Sequence, residues 1–361
     1  MLDRLPNELL LRVLELSVSS SFASQPYADR RSTLRNYSLV SHRFRQLAQP
    51  LLFALFKATS SSKLRHFLYA VKAIGLQHHV KAVALDHNVG VEIYGGLPPN
   101  DLVRLAEDCP ALEQLSLGTA GRFDLTRLVV FKHLRSLTLN WGDLSASSPF
   151  VLPLLADLTV EGISASPETL ASTFTPSTLP SLRALALSNI EHDTSFSEPI
   201  EALRSQLHML ATGPDDLCLL PDNVLVDHRP ITLLLCSLPQ FVQRWDDIIS
   251  TAHHVYLYCN YYHTPSSNAR DLDAVTNQLL HAPHSSLRTV YLSRDIRPSN
   301  PEWLLDVTFP QAYDRFLAAC VTRGIEICWE DPVHPGDGEL DSANLPGFWT
   351  KAKALKASAS G

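Results

Sequence analysis

From about residue 78 the chain repeats a short signature: an apolar residue, two others, an apolar residue, one other, an apolar residue. It reads Val80-Val83-Leu85, Leu112-Leu115-Leu117, Leu134-Leu137-Leu139, Leu155-Leu158-Val160 and Leu182-Leu185-Leu187. Weaker copies stand at Val255-Leu257, Leu287-Val290-Leu292 and Ile325-Ile327. Alternation in the second half of each copy predicts a strand with one face in a core. Segments with helical spacing lie between copies: DLVRLAEDC, SPETLASTF, DLDAVTNQLLH and QAYDRFLAACVTRG. LRSQLHMLATG is expected to give one more strand and SLPQFVQRWDDIIS a helix, with the register across residues 203–250 left unassigned.

The first 57 residues follow a different pattern. Pro6 suits a first helical turn, where its missing N–H costs nothing, and Glu8 suits that turn's positive dipole. Leu9, Leu10, Leu11, Val13, Leu14 and Leu16 then cover most of the helix circumference, whereas an ordinary surface helix buries one stripe. Two faces therefore need cover, one from neighbouring helices and one from a partner or the rest of the chain. A polar stretch, SVSSSFASQPYADRR, leads to a second helical pattern with Leu34, Tyr37, Leu39, Val40, Phe44 and Leu47. Ser41 is the expected cap that splits it into two helices.

Charge sharpens this division. The 361-residue chain carries a net −7, yet residues 1–57 carry +4, from eight basic and four acidic side chains. The remainder therefore carries −11. A basic module on an acidic body favours an acidic partner for the module, and the overall sign argues against nucleic acid. The six cysteines are scattered and form no C-x-x-C pair, so neither a disulfide scaffold nor a cysteine metal site is expected. The N-terminus, with acidic residues inside its apolar stretch, does not read as a signal peptide. No apolar run approaches the roughly 18–20 residues that span a bilayer, so no membrane association and a cytoplasmic or nuclear location are expected.

A strand-plus-helix unit of about 20–29 residues is the leucine-rich repeat period, and successive clear copies here start 32, 22, 21 and 27 residues apart. The repeat's asparagine position is matched at Asn88 and Asn260 and missed in most other copies. The body, residues 78–331, thus resembles a divergent leucine-rich repeat array, joined to the module by a linking helix over 58–77. The competing fold is a generic doubly wound α/β domain, whose nucleotide-binding form is disfavoured by the lack of a G-x-G-x-x-G or Walker-type loop. Residues 332–361 lose repeat character and are expected to supply a cap, through Phe348 and Trp349, and a disordered tail.

Strand parity identifies the residues opposite the core. In the early copies these are small or polar, for instance Gln114, Ser116, Ser136 and Thr138; later they become His254, Tyr256, Tyr258 and Tyr291. Tyrosine supplies large apolar area with a polar tip, so these four are the expected target-binding residues. The histidine-rich cluster His253, His254, Cys259 and His263 has no zinc-finger spacing, and adjacent histidines on a strand point to opposite faces. Glu326, Glu330 and Asp331 are read as a solvated acidic group. No G-x-S-x-G elbow occurs, and no catalytic residue, metal or cofactor is expected.

Two blocks of the N-terminal module, Leu5-Pro6-x-Glu8-Leu9 with Val13-Leu14, and Leu39-Val40-Ser41-x-x-Phe44-Arg45-x-Leu47-Ala48, resemble an F-box. The match is to the fungal variety, in which Pro50-Leu51-Leu52-Phe53 follows. The stretch from Ser17 to Thr33 is longer and more polar than the usual link between the first two helices of that family. The resemblance implies docking onto a Skp-type adaptor and, through it, a cullin–RING ubiquitin ligase. Adaptor contacts would be Leu5, Pro6, Leu9, Leu10, Val13, Leu39, Val40 and Phe44. The expected protein is thus α/β, a short helical F-box followed by an irregular leucine-rich repeat solenoid, acting as a non-catalytic recruiter of an unknown protein target. The alternative is a repeat-built interaction protein that acts without ubiquitin-dependent degradation.

Overall fold

The computed structural model describes residues 5–18, 27–58, 60–85, 99–118, 121–188, 190, 196–212, 231–243, 252–258, 265–281, 287–292 and 308–329. It is a mixed α/β protein of parallel strands and helices, and its chain divides into two compact units.

The first unit begins with three helices: α1 (Asn7–Ser17), α2 (Tyr27–Val40) and α3 (His42–Ala54). Pro6 stands immediately before α1, its carbonyl accepting the Leu10 N–H, and Ser41 separates α2 from α3, its hydroxyl accepting the Phe44 N–H at 3.2 Å. The helices close over Leu10, Leu14, Val18, Leu34, Phe44 and Ala48, with Leu5, Tyr37, Leu47, Leu51 and Leu52 packed around them. Tyr37 stacks on Phe44 at 6.3 Å between ring centres. Two arginines cross-link the frame. Buried Arg30 donates to the Leu51 carbonyl at 2.6 Å, tying the start of α2 to the end of α3. Arg43 donates to Asn7 Oδ1 at 2.6 Å and to the Leu5 carbonyl, tying α3 to the start of α1.

The helical reading of LLFALF ends early. After Ala54 the chain turns extended, and Leu55–Ala58 form strand β1, paired in parallel with β2 (Ala82–Leu85). A strand of the body therefore lies within the residues assigned to the N-terminal module. Phe56 stacks on Phe67 of α4 (Ser61–Ala73) at 3.8 Å, which fixes the strand against its following helix. Strands β3 (Gln114–Gly118), β5 (Ser136–Ser145) and β6 (Asp157–Ala165) continue the parallel sheet, and β4 (Arg122–Asp124) pairs with β5. Parallel neighbours need crossovers, and α4 and α5 (Pro99–Asp108) supply the first two. The repeat apolar residues Val83, Leu85, Leu115, Leu117, Leu137, Leu139, Leu158 and Val160 are all buried, as their spacing predicts. Ion pairs Arg65–Asp101 and Lys72–Asp108, each 3.2 Å, join α4 to α5. Helices α6 (Pro167–Thr173) and α7 (Ser197–Leu203) follow, while β7 (Ala184–Ser188), apart from its first residue, belongs to the second unit.

In the second unit, β8 (Met209–Thr212), β9 (Ile231–Ser237), β10 (His254–Tyr258), β11 (Thr289–Leu292) and β12 (Glu326–Trp329) pair in that order, all parallel. Residues 203–250 hold the expected strand as β8 and the expected helix as α8 (Leu238–Gln243), with β9 between them, a strand the repeat template missed. Helices α9 (Pro265–His281) and α10 (Thr308–Thr322) cover one face. Val255, Leu257, Val290 and Leu292 meet Phe241, Leu272, Val275, Phe309 and Phe316 in a shared apolar core. Helices α4 and α10 end alike. Gly75 (φ 72°) and Gly324 (φ 67°) take the left-handed conformation, and the next N–H reaches back five residues, Leu76 to Val71 and Ile325 to Cys320. Asn88, Asn260, Phe348 and Trp349 lie outside the described residues, as does the whole segment 332–361.

Candidate functional site

Helix α1 carries two apolar faces. Leu10 and Leu14 enter the module core, while Leu9, Val13 and Leu16 lie on a neighbouring face outside it, 52%, 47% and 72% exposed. Their i, i+4, i+7 spacing makes them one stripe. At the end of α2, Leu39 and Val40 are 67% and 66% exposed. The Arg43 bonds to Leu5 and Asn7 bring the α2–α3 junction to the first turn of α1, the end of the helix at which the stripe begins with Leu9.

The expected adaptor-contact residues therefore separate into two sets. Pro6, Leu9, Val13, Leu39 and Val40 face outward, and Leu5 is half-buried against the core. Leu10 and Phe44 are corrected to core residues, because the packing of α1 on α3 and the Tyr37–Phe44 stack enclose them. Leu16, the most exposed of the stripe, was not among the expected contact residues, although its position seven residues after Leu9 was readable in the sequence.

The second expected site fares differently. The register sets His254 beside Thr289 and Tyr256 beside Tyr291, so parity did place these residues on common rows. The rows are covered, however. His254 and Tyr291 are buried, with ring centres 6.1 Å apart, and are corrected from recognition residues to interior ones. Tyr256 is half-buried, and the Tyr258 side chain lies outside the described residues. Burial pushes the His254 imidazole down to about 4, helped by the positive neighbours His253 and Arg288. Nδ1 of His254 is buried with no hydrogen-bond partner, which suits a ring held neutral.

Little else gathers chemistry. His78 and His79 sit exposed on a single 3-10 turn, and Glu326 is exposed on β12. Cys259, His263, Glu330 and Asp331 lie outside the described residues. Among the described residues no group of three or more His, Cys, Asp or Glu is placed to hold a metal ion. The thiols of Cys109 and Cys320 are both pushed up to about 12, mainly by burial, so neither is a ready nucleophile. Among the described residues no helix is long and apolar enough to cross a membrane.

No family model matches the chain, and no curated protein does. Among solved structures, it is similar to a Bacteroides fragilis protein whose crystal structure was determined as a structural genomics target. The identity is 11% and the TM-score 0.28, with 79% of this chain and 66% of that one covered. The chain thus spans just under two thirds of that protein's length.

Proposed function

We propose that this chain is the target-recruiting subunit of an SCF-type cullin–RING ubiquitin ligase. Its N-terminal helices act as an F-box that docks on a Skp-type adaptor, and the strand-plus-helix body is a divergent leucine-rich repeat array that holds the target. One observation carries the reading: a small helical module leaves Leu9, Val13, Leu16, Leu39 and Val40 in water. The Leu9–Val13–Leu16 stripe and the Leu39–Val40 pair are each an exposed apolar group, the usual mark of a protein-binding site. Four of the five fall within the two sequence blocks that resemble the F-box.

The test is a pull-down of the full chain with a purified Skp-type adaptor, beside a Leu9→Ser/Leu39→Ser variant. Both substitutions are at exposed positions, so the variant should keep its thermal midpoint while losing the adaptor. Failure of the intact chain to bind would overturn the docking role and the ubiquitin-ligase role with it.

A further inference from the structure

The module's arginines fall into two groups. Arg30 and Arg43 are engaged with carbonyl and amide oxygens inside the module, and Arg12 pairs with Glu15 at 3.3 Å. Arg31 and Arg35 are exposed and form no ion pair among the described residues. They stand four residues apart on α2, and Leu39 follows four residues later, so Arg31, Arg35 and Leu39 form one stripe down the helix. Exposed Arg45 on α3 joins them. Its Nε donates to the Ser38 carbonyl at 3.3 Å, one residue from Leu39. Arg35 and Arg45 thus flank the exposed Leu39–Val40 pair, and Arg31 stands one turn beyond Arg35 on the same stripe.

A like-charge pair four residues apart slightly weakens a helix, and an acidic partner would relieve that repulsion between Arg31 and Arg35. Resting on the docking reading above, we propose that these arginines are the polar rim of the docking surface and select an acidic partner. That partner presents an apolar segment against Leu39, Val40 and the α1 stripe, with carboxylates alongside to meet Arg31, Arg35 and Arg45. A second copy of this chain fits poorly, because a two-fold contact here would bring guanidinium groups together. A phosphate backbone would leave the leucine and valine without a counterpart.

Rim charges act mainly on association rate, and at about 0.1 M salt screening cuts in over about 10 Å. The experiment measures adaptor affinity and association rate for the full chain and for an Arg31→Gln/Arg35→Gln variant, at about 50 mM and about 500 mM salt. The expected result is binding weakened on the order of tenfold at low salt, chiefly through slower association, with the difference closing at high salt. Equal affinity of the two proteins at low salt would overturn the rim while leaving the docking role standing. No adaptor binding by the intact chain would overturn both. Self-association of the intact chain that the variant abolishes, or RNA oligonucleotide binding lost in a variant whose adaptor affinity is unchanged, would reassign the arginines and also overturn it.

Discussion

Strand β3 of the first unit alternates half-buried and buried residues along Gln114–Gly118, whereas β11 of the second unit is buried at all four positions, Thr289–Leu292. Both strands are parallel and both send their leucine and valine residues into a core under helices. They differ on the opposite face. Gln114, Ser116 and Gly118 remain partly open, while Thr289 and Tyr291 are enclosed. The N-terminal helices reverse the usual expectation again, leaving leucine and valine in water while the tyrosine and histidine of the second unit go inside. Residue type is thus a poor guide to which surface of this protein is free. Periodicity says which side of an element a residue occupies; only packing says whether that side is covered.

The largest effect should come from the core of the second unit. Phe316→Ala removes a fully buried ring and should cost about 3–5 kcal/mol, read as a lowered urea midpoint. Labelling of Cys320, one turn further along α10, should accelerate in that variant, because the thiol is buried in the same core. Unchanged labelling would mean that the core opens elsewhere first.

Acid should strike the same unit through His254. Its folded value lies near 4 against an ordinary 6.5, so the neutral ring stabilises the fold fully above about 6.5, and this contribution is lost as pH falls toward 4. The loss is at most about 3 kcal/mol by the size of that shift. Urea midpoints of the intact protein and a His254→Gln variant between pH 7 and pH 4 should converge as the pH drops. Parallel curves would show that His254 is not the titrating group.

The two faces of α1 give the sharpest contrast. Leu10→Ala should destabilise the protein by about 2–4 kcal/mol, and Leu16→Ser should change stability by less than about 0.5 kcal/mol. Adaptor affinity should respond in the opposite order once measured below both midpoints. Smallest of all is the exposed Arg315–Asp273 pair, bidentate at 2.9 and 2.8 Å. Arg315→Ala should leave the midpoint unchanged within error, since solvent and side-chain entropy offset such pairs.

Much of the architecture was legible. The predicted helices over Asp101–Cys109, Ser166–Phe174, Asp271–His281 and Gln311–Gly324 overlap α5, α6, α9 and α10, because their apolar spacing is helical and Ser166 supplies a cap. Ser41 was legible as a break for the same capping reason. Strand β1 was not. Leu55–Ala58 continue an apolar run with no turn residue between, and only pairing with Ala82–Leu85 makes them extended. Strand β9 escaped because the run Leu233-Leu234-Leu235-Cys236 inside ITLLLCS is continuously apolar and shows no period.

For the candidate site, the amino-acid order by itself determined that α1 has more apolar circumference than one core can use, and that the positive charge sits with it. Those are properties of spacing and side-chain chemistry, which hold wherever the helix lies. The tertiary structure alone decided that Leu10 and Phe44 go inward while Leu9, Val13, Leu16, Leu39 and Val40 stay outside, and that His254 and Tyr291 are enclosed. Exposure depends on atoms contributed by residues far away along the chain, and no local pattern encodes them.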